Sequence, residues 1–363
     1  MSPKGIIQIL PTLKLTGGTA AKVKLLAQHS RYKQIICVVD HKDNINYVEQ
    51  WNQIGNCRIE PVYTFRNPLL NAIRLYNLVK RHNAYIIHAY FPIDSVSASI
   101  LKVFCPSVKI IRSFEGALAY SKWRRRFQSL VFKNHDVFIG ISKYVGGFYG
   151  KIFPSIAKRG IEVIYNSPAF FEDLKSPIIH NVTAKRIVNV GCCNPSKNSA
   201  TLVKAAKILR DRGIDAEFEL IGDGCLRSQI EELIQNLGVE DNVFLCGFSN
   251  NVKPYLDASS IYVHPSNLEG FGMAVIEAMG RCCACIVSDS CALPELVHDG
   301  VDGFIAKTYD AEDWANKIEM LLSNQTLVND FGEKAYQKAK NVFSIDAYVN
   351  NLDNLYTRLY EDN

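Results

Sequence analysis

Along most of its length the chain alternates between short apolar runs and longer segments whose apolar residues recur at helical spacing. This alternation predicts parallel sheets covered by helices on both faces, because strands buried on both sides read as near-continuous apolar runs. In the first half the runs fall at 5–10, 34–39, 59–62, 85–89, 108–112, 136–141 and 161–165, with helical patterns over about 19–29, 67–82, 94–104, 121–134 and 143–153. From Asn166 to Thr183 the periodicity fades and Pro168 and Pro177 appear, the composition of a connector. The alternation then restarts, with strands at 186–191, 216–221, 242–246, 260–264 and 284–288 and helices at 197–212, 225–237, 251–258 and 272–280. A last segment, Ser344 to Tyr360, opens on a capping residue and has apolar residues at 345, 348, 352, 355, 356 and 359, which predicts an amphipathic helix. The expected fold class is α/β, with two Rossmann-like, doubly wound parallel-sheet domains facing across a cleft. The first covers 1–166, a linker 167–183, the second 184–343 and a C-terminal helix 344–363. Ligands of open parallel sheets sit at the carboxyl ends of the strands, so chemistry is sought there.

A length of 363 residues fits two domains better than one, since single cores stop growing near ~250–300 residues. Hydrophobic residues make up 48% and charged residues 21%, and no stretch approaches the ~20 apolar residues that cross a bilayer. The run Ile6 to Leu10 is too short for the core of an export signal, so a cytoplasmic location is expected, with attachment to the inner face of the plasma membrane as its variant. Several of the eleven cysteines lie in apolar runs such as Arg281-Cys-Cys-Ala-Cys-Ile-Val-Ser288, which suits reduced thiols used as small core residues. A metal cluster at Cys282, Cys283, Cys285 and Cys291 is the rival, and it lacks paired C-x-x-C spacing and a nearby histidine. Charge is divided unevenly. Residues 1–165 hold 24 Lys and Arg against 8 Asp and Glu, a net +16, and the remainder 17 against 28, a net −11. The basic half suits an anionic lipid surface or a phosphorylated acceptor, and the absence of nucleic-acid-binding motifs speaks against nucleic acid.

The segment from Tyr262 to Gly280 carries the most chemistry: a strand ending near His264, a turn holding Ser266, Glu269 and Gly270, then a helix from about Gly272 with Glu277 upon it. Glycines at 270 and 272 let backbone approach a ligand closely, and the free N–H groups of a first helical turn favour phosphate. A carboxylate accepts two hydrogen bonds, which matches a sugar or a ribose diol. The bland alternative is a helix with an acidic cap and a surface glutamate.

The run Ser266…Glu269-Gly-Phe-Gly…Glu277-Ala-Met resembles the donor-site signature of the retaining GT-B glycosyltransferases known as glycosyl transferases group 1, of the family 4 type. Gly17-Gly18 resembles that family's N-terminal Gly-Gly loop, and Val190-Gly-Cys-Cys-Asn-Pro-Ser-Lys-Asn198 the motif that opens its second domain. Leu220-Ile-Gly-Asp-Gly224, Val243-Phe-Leu-Cys-Gly247 and Pro294-Glu295…Asp299-Gly300…Gly303-Phe304 resemble its later strand ends and turns. The resemblance implies a nucleoside-diphosphate-sugar donor, a glycan or lipid-linked acceptor, transfer with retention of configuration, and a last helix that crosses back to the first domain. Surface polysaccharide or glycolipid synthesis is the implied setting. By the same resemblance Glu277 binds the ribose hydroxyls, Glu269 contacts the donor sugar and Lys197 steadies the departing diphosphate. Gly17, Gly18, Ser266, Gly270, Phe271 and Gly272 complete the donor-binding set, mainly through backbone N–H groups.

Two positions depart from the family's pattern. Cys192 stands where an arginine usually follows the glycine of the lysine motif, which removes one of two cations from the diphosphate. Ser113-Phe-Glu-Gly116 puts Glu115 where the family often has a histidine. His88, at a strand end near the cleft, is both a catalytic candidate and an ordinary structural histidine. No Asp-x-Asp closes a strand, and Asp310-Ala-Glu-Asp313 reads as the acidic first turn of a helix, so neither a metal nor another cofactor is expected. Segment 121–133 sets Trp123, Phe127, Leu130 and Val131 beside five cations, which suits either an interfacial helix on an anionic membrane or a helix packed on the sheet with solvated charges. An epimerase on the same fold and a non-catalytic nucleotide-sugar-binding protein are the other functions considered.

Overall fold

Seven parallel strands build the first sheet: β1 (Gly5–Leu10), β2 (Lys33–Val39), β3 (Cys57–Val62), β4 (Ile86–Ala89), β5 (Lys109–Phe114), β6 (Val137–Gly140) and β7 (Glu162–Val163), in the spatial order β3-β2-β1-β4-β5-β6-β7. Six more build the second: β8 (Arg186–Val190), β9 (Glu217–Ile221), β10 (Val243–Gly247), β11 (Ile261–His264), β12 (Ala284–Ser288) and β13 (Gly303–Ala306), ordered β10-β9-β8-β11-β12-β13. The computed structural model describes residues 5–14, 18–39, 45–62, 67–168, 178–181 and 185–362. Strand order reverses between β1 and β4 in one sheet and between β8 and β11 in the other, the switch points of doubly wound folds.

The chain divides into two compact units, 1–169 with 345–363, and 170–344. The first holds helices α1 (Gly18–His29), α2 (Ile45–Asn52), α3 (Pro68–His82), α4 (Pro92–Phe104), α5 (Lys122–Val131), α6 (Lys143–Ile152) and α7 (Pro154–Ala157). In the second are α8 (Ser199–Asp211), α9 (Arg227–Leu237), α10 (Lys253–Ala258), α11 (Met273–Gly280), α12 (Leu293–Leu296), α13 (Ala311–Leu322) and α14 (Gln325–Val342). The last helix, α15 (Ile345–Glu361), belongs to the first unit. Its Tyr348, Leu352, Tyr356 and Leu359 form one stripe buried against Ile6 of β1, Ile86 of β4 and Ile111 of β5. Asp353 pins it by accepting from Ser30 Oγ at 2.6 Å and the Arg31 N–H at 3.0 Å.

β1 is buried along its whole length, as its apolar run requires, yet it contains Gln8. A buried amide must be bonded. Gln8 donates to Gln34 Oε1 (2.9 Å) and to the Tyr356 hydroxyl (3.1 Å), and accepts from the Tyr90 hydroxyl (2.8 Å). The second core gathers Leu202 and Leu209 of α8, Phe218, Ile286 and the fully buried Trp314 of α13. Asp310 caps α13 by accepting from the Asp313 N–H, with Glu312 and Asp313 in the first turn, the acidic helix start expected for this segment. Beyond the sequence expectation lie α2, the short α7 and α12, β13 and the eighteen-residue α14. No helix among the described residues is long and apolar enough to cross a membrane.

In α5 the side chains of Trp123 (66% exposed), Phe127 (47%) and Leu130 (62%) face outward, whereas Gln128 and Val131 are buried. Of the apolar residues that the sequence sets on this helix, Val131 is buried and Trp123, Phe127 and Leu130 are exposed.

Candidate functional site

The carboxyl ends of β8 and β11 carry two loops that are tied to each other. After β8, Asn194 Oδ1 accepts from the Ser196 N–H (3.1 Å), the Ser196 hydroxyl (2.7 Å) and the Lys197 N–H (3.2 Å), folding the loop into an Asx turn that aims Lys197. Asn198 then spans to the carbonyls of Pro265 (3.2 Å) and Thr308 (2.7 Å). From the other side the Asn267 N–H donates to Ser196 O at 2.9 Å. Close backbone approach needs glycine here: a Cβ on Gly222, whose φ is +140°, would lie 2.0 Å from Gly191 O.

Across this junction Lys197 Nζ meets Glu269 Oε2 at 2.5 Å. Behind Glu269 stand His264 and Tyr262, to which the sequence pattern assigned no role. His264 Nε2 is 3.3 Å from Glu269 Oε2 and 3.1 Å from Ser266 Oγ, while its Nδ1 is 2.8 Å from the Tyr262 hydroxyl. Burial lowers the His264 pKa, partly against the pull of Glu269, so the ring is neutral near pH 7. A neutral ring donates from one nitrogen only; with Nε2–H donating to Glu269, Nδ1 accepts from the Tyr262 hydroxyl, whose proton prefers this 2.8 Å contact to Val190 O at 3.5 Å. Burial opposes charge on Glu269, yet the His264 hydrogen bond and the Lys197 cation outweigh it and hold the carboxyl down at about 2.

Gly272, at φ +107°, caps α11, and a Cβ there would meet Leu296 at 2.9 Å. Gly270 directly follows Glu269 in the turn leading to that cap. On α11, Glu277 is pushed up to about 7 by burial alone, and among the described residues its carboxylate makes no hydrogen bond or ion pair. An ionisable group held in a partly enclosed place without a partner marks a candidate ligand position.

Two residues of the expected donor set have buried side chains. Ser266 is 1% exposed, its hydroxyl bonds His264 and its carbonyl accepts from Ser288 Oγ at 2.5 Å, so it braces the loop. The Phe271 ring is buried edge-to-face against Phe343, with centroids 5.9 Å apart. In the first unit, Gly18 opens α1 and is exposed, and Gly17 lies outside the described residues.

His88, the catalytic candidate of the first unit, is buried as well. It is 1% exposed, with Nδ1 2.9 Å from the Tyr356 hydroxyl and Nε2 2.6 Å from Ser113 Oγ. Both nitrogens are thus engaged, and burial, aided by the Lys22 and Arg112 charges, lowers its pKa well below the usual histidine range. A histidine so placed orders the core beneath the strand ends and has no free nitrogen for an acceptor. Glu115, at the position where a histidine was expected, is held by Lys22 Nζ at 2.5 and 2.6 Å. Lys22 is a lysine on the buried stripe of α1, between Ala20 and Val23, and that misplacement was its only signal in the sequence.

All eleven cysteines are free thiols; Cys192 is exposed, and Cys282, Cys283 and Cys285 are buried. Cys283 Sγ sits 3.3 Å from Leu256 O and 3.4 Å from Ser259 O, as a core thiol does. Among the described residues no group of three His, Cys, Asp or Glu side chains is arranged to hold a metal ion.

Residues 170–338, nearly the whole second unit and a little under half of the chain, match the family model described as Glycosyl transferases group 1. The poly(ribitol-phosphate) alpha-N-acetylglucosaminyltransferase of Staphylococcus aureus is 25% identical over 194 residues, covering 53% of this chain and 37% of that protein. The chain therefore spans little more than a third of that relative. The UDP-Gal:alpha-D-GlcNAc-diphosphoundecaprenol alpha-1,3-galactosyltransferase of Escherichia coli is 25% identical over 307 residues, covering 78% of each chain. The crystal structure of a glycosyltransferase from Rickettsia africae matches with a TM-score of 0.82 at 17% identity, over 100% of both chains. The fold is that of the GT-B glycosyltransferases, and residues 170–338 are similar to the glycosyl transferases of group 1.

Proposed function

We propose that this chain is a nucleotide-sugar-dependent glycosyltransferase that moves a hexose-type sugar to a glycan or lipid-linked acceptor with retention of configuration, in the assembly of a surface polysaccharide or glycolipid. The observation that carries this reading is the Lys197–Glu269 pair at the carboxyl ends of β8 and β11, together with the unpartnered Glu277 carboxylate on α11. A nucleoside diphosphate offers the complement of each. Its ribose diol supplies two donors for Glu277, and its diphosphate supplies negative charge for Lys197. Backbone N–H groups at Gly270, Phe271 and Gly272, at the start of α11, lie where a helix terminus favours phosphate.

Without donor, Lys197 is neutralised by Glu269. A diphosphate competes for the lysine and leaves Glu269 facing the sugar, still steadied by His264. Charge grows on the diphosphate as the bond to the sugar breaks, so a fixed cation there lowers the barrier by roughly 3–4 kcal/mol. Cys192 provides no second cation, which concentrates that role on Lys197. No metal is invoked: the cation present is a lysine, and no Asp-x-Asp closes a strand. Retention rests on the family resemblance and on the alpha linkages named in both relatives. A lipid-linked acceptor draws on the diphosphoundecaprenol named in the E. coli relative and on the basic first half of the chain. With them goes a place at the cytoplasmic face of a membrane, reached through the cations and exposed aromatic residues of 121–133. Neither the epimerase nor the non-catalytic reading gains support from these relatives.

The test is release of nucleoside diphosphate from a panel of UDP-sugars, with and without glycan and polyprenyl-diphosphate-sugar acceptors. Release that requires an acceptor, with a glycosylated product, supports transfer. Consumption or epimerisation of the donor without any acceptor would replace this reading with the epimerase.

A further inference from the structure

Half of the exposed large hydrophobic side chains among the described residues lie on three consecutive helices of the first unit, α3, α4 and α5, and on the connection before α5. α3 and α4 pack on one side of the first sheet, where Leu75 and Leu101 share a core with Ile7 of β1 and Ile87 of β4. Their outward faces are apolar as well, which packing on the sheet does not require.

On α3 the outward stripe is Leu69 (61% exposed), Ile73 (60%), Tyr76 and Lys80, spaced i, i+4, i+7 and i+11, and Lys80 Nζ lies 5.7 Å over the Tyr76 ring. On α4 the outward residues are Val96, Ile100, Val103 and Phe104, with no charge among them, and the cation of that helix, Lys102, is bound to Asp136. A crease of about 570 Å³ between α3 and α4 is lined by Ile73, Tyr76, Ile100 and Phe104, and a second of about 470 Å³ joins Val96 of α4 to Trp123 and Phe127 of α5. The apolar surface is thus continuous across three helices, and a surface of that extent marks a contact with another body.

Charge decides which body. Residues 61–135 hold 12 Lys and Arg against 2 Asp and Glu, a net +10. Neither acid faces outward: Asp94 is 4% exposed and accepts from the Phe91 N–H at 3.0 Å, and Glu115 is held by Lys22. A second copy would set like charge against like, which opposes pairing. Lys80 over Tyr76 and Arg124 over Trp123, at 5.4 Å, are cations with aromatic rings at the margin of an apolar surface. When such rings enter a bilayer, the cations stand level with the lipid phosphates.

We propose that the joined outer faces of α3 and α4, with Trp123 and Phe127 at one edge, dock on an anionic bilayer. The apolar side chains enter among the acyl chains, and Lys80 and Arg124 pair with lipid phosphates. This rests on the membrane reading above and extends the contact from segment 121–133 to a face centred on α4.

The test is sedimentation of the full chain with sucrose-loaded vesicles of phosphatidylglycerol and phosphatidylcholine in equal parts, against vesicles of phosphatidylcholine alone. Binding should be about tenfold tighter with the anionic vesicles and should weaken as salt is raised. Ile73→Ser combined with Phe104→Ser changes two exposed side chains and should weaken binding about tenfold at an unchanged Tm. Lys80→Glu should weaken it severalfold and serves if the double variant does not fold. Met320→Ser, at an exposed position of α13 in the second unit, should leave it unchanged. If the α3 and α4 variants bind as the wild type does while Trp123→Ser loses binding, the contact is segment 121–133 alone: the proposal fails and the membrane reading stands. If the wild type binds neither vesicle, both fall, while stabilisation by UDP in the same samples still reports the second unit. A dimer in sedimentation velocity that the double variant makes monomeric would give the face to a second copy and overturn the proposal.

Discussion

Each unit sets a lysine–glutamate pair near the carboxyl edge of a sheet with the same strand order, and the two pairs differ in their surroundings. In the first, Lys22 is 4% exposed, lies 4.9 Å over the Tyr90 ring and grips both oxygens of Glu115. In the second, Lys197 and Glu269 are 23% and 18% exposed, and Glu277 on α11 has no partner among the described residues. A buried lysine that gives up its carboxylate has nowhere to place its charge, so the first pair is fixed. A lysine that solvent reaches can exchange its carboxylate for a ligand's phosphate, so the second pair can work. The same two residue types therefore act as a brace in one unit and as a candidate site in the other, and burial makes the difference.

The largest separation is expected from Lys197→Ala and Lys22→Met. Lys197→Ala should lower kcat by about 10²–10³ while leaving Tm nearly unchanged, since it removes charge from the leaving group and little packing. Lys22→Met should lower stability by roughly 3 kcal/mol, a Tm drop of about 6–12 °C, by stranding Glu115. Lys22→Met with Glu115→Leu should recover most of that loss. If Lys22→Met instead abolishes transfer at an unchanged Tm, the first pair belongs to the chemistry and the contrast fails.

Glu277 should show a smaller effect through pH. Its carboxyl titrates at about 7 because burial disfavours the charge, whereas ribose hydroxyls need the ionised form. UDP affinity should rise roughly tenfold from pH 6 to pH 8, following the ionised fraction, and Glu277→Gln should flatten that rise. Without ligand the sign reverses: the folded state holds a proton that the unfolded chain releases near pH 4.5, so stability falls as pH climbs from 5 to 7, and Glu277→Gln should remove that fall. The smallest effect is expected at His264. His264→Phe removes one hydrogen bond to Glu269, and kcat should drop about five- to tenfold with donor KM little changed. Glu269 should then titrate above its present value of about 2, which a carboxylate NMR titration would read.

Much of the second unit was legible because its signals are local. Strand ends, the Asn194 turn and the glycines before α11 are each contained within a few residues, and a strand buried on both faces reads as an apolar run. What was illegible depends on distant partners. Lys22 and Glu115 are 93 residues apart, and the bond between His88 and Tyr356 spans 268. Without those partners His88 reads as a catalytic candidate and Ser266 as a ligand contact. α14 escaped notice because its buried stripe is diluted by Gly332, Ala335 and Ala339; Gly332 is needed where a Cβ would lie 2.2 Å from Cys282 O. β13 is only four residues long and begins at a glycine. The outward turn of Trp123 and Phe127 could not be read from helical spacing, which gives a face without saying what covers it.

The most direct measurement is thermal-shift binding of a panel of nucleoside diphosphates and their sugars to the wild type and to the Lys197→Ala and Glu277→Ala variants. Selective stabilisation by one nucleoside diphosphate, lost in both variants while Lys22→Met retains it above its own lowered baseline, is the expected result. No stabilisation by any member, or stabilisation that both variants keep, would contradict the assignment of Lys197 and Glu277 to the donor site.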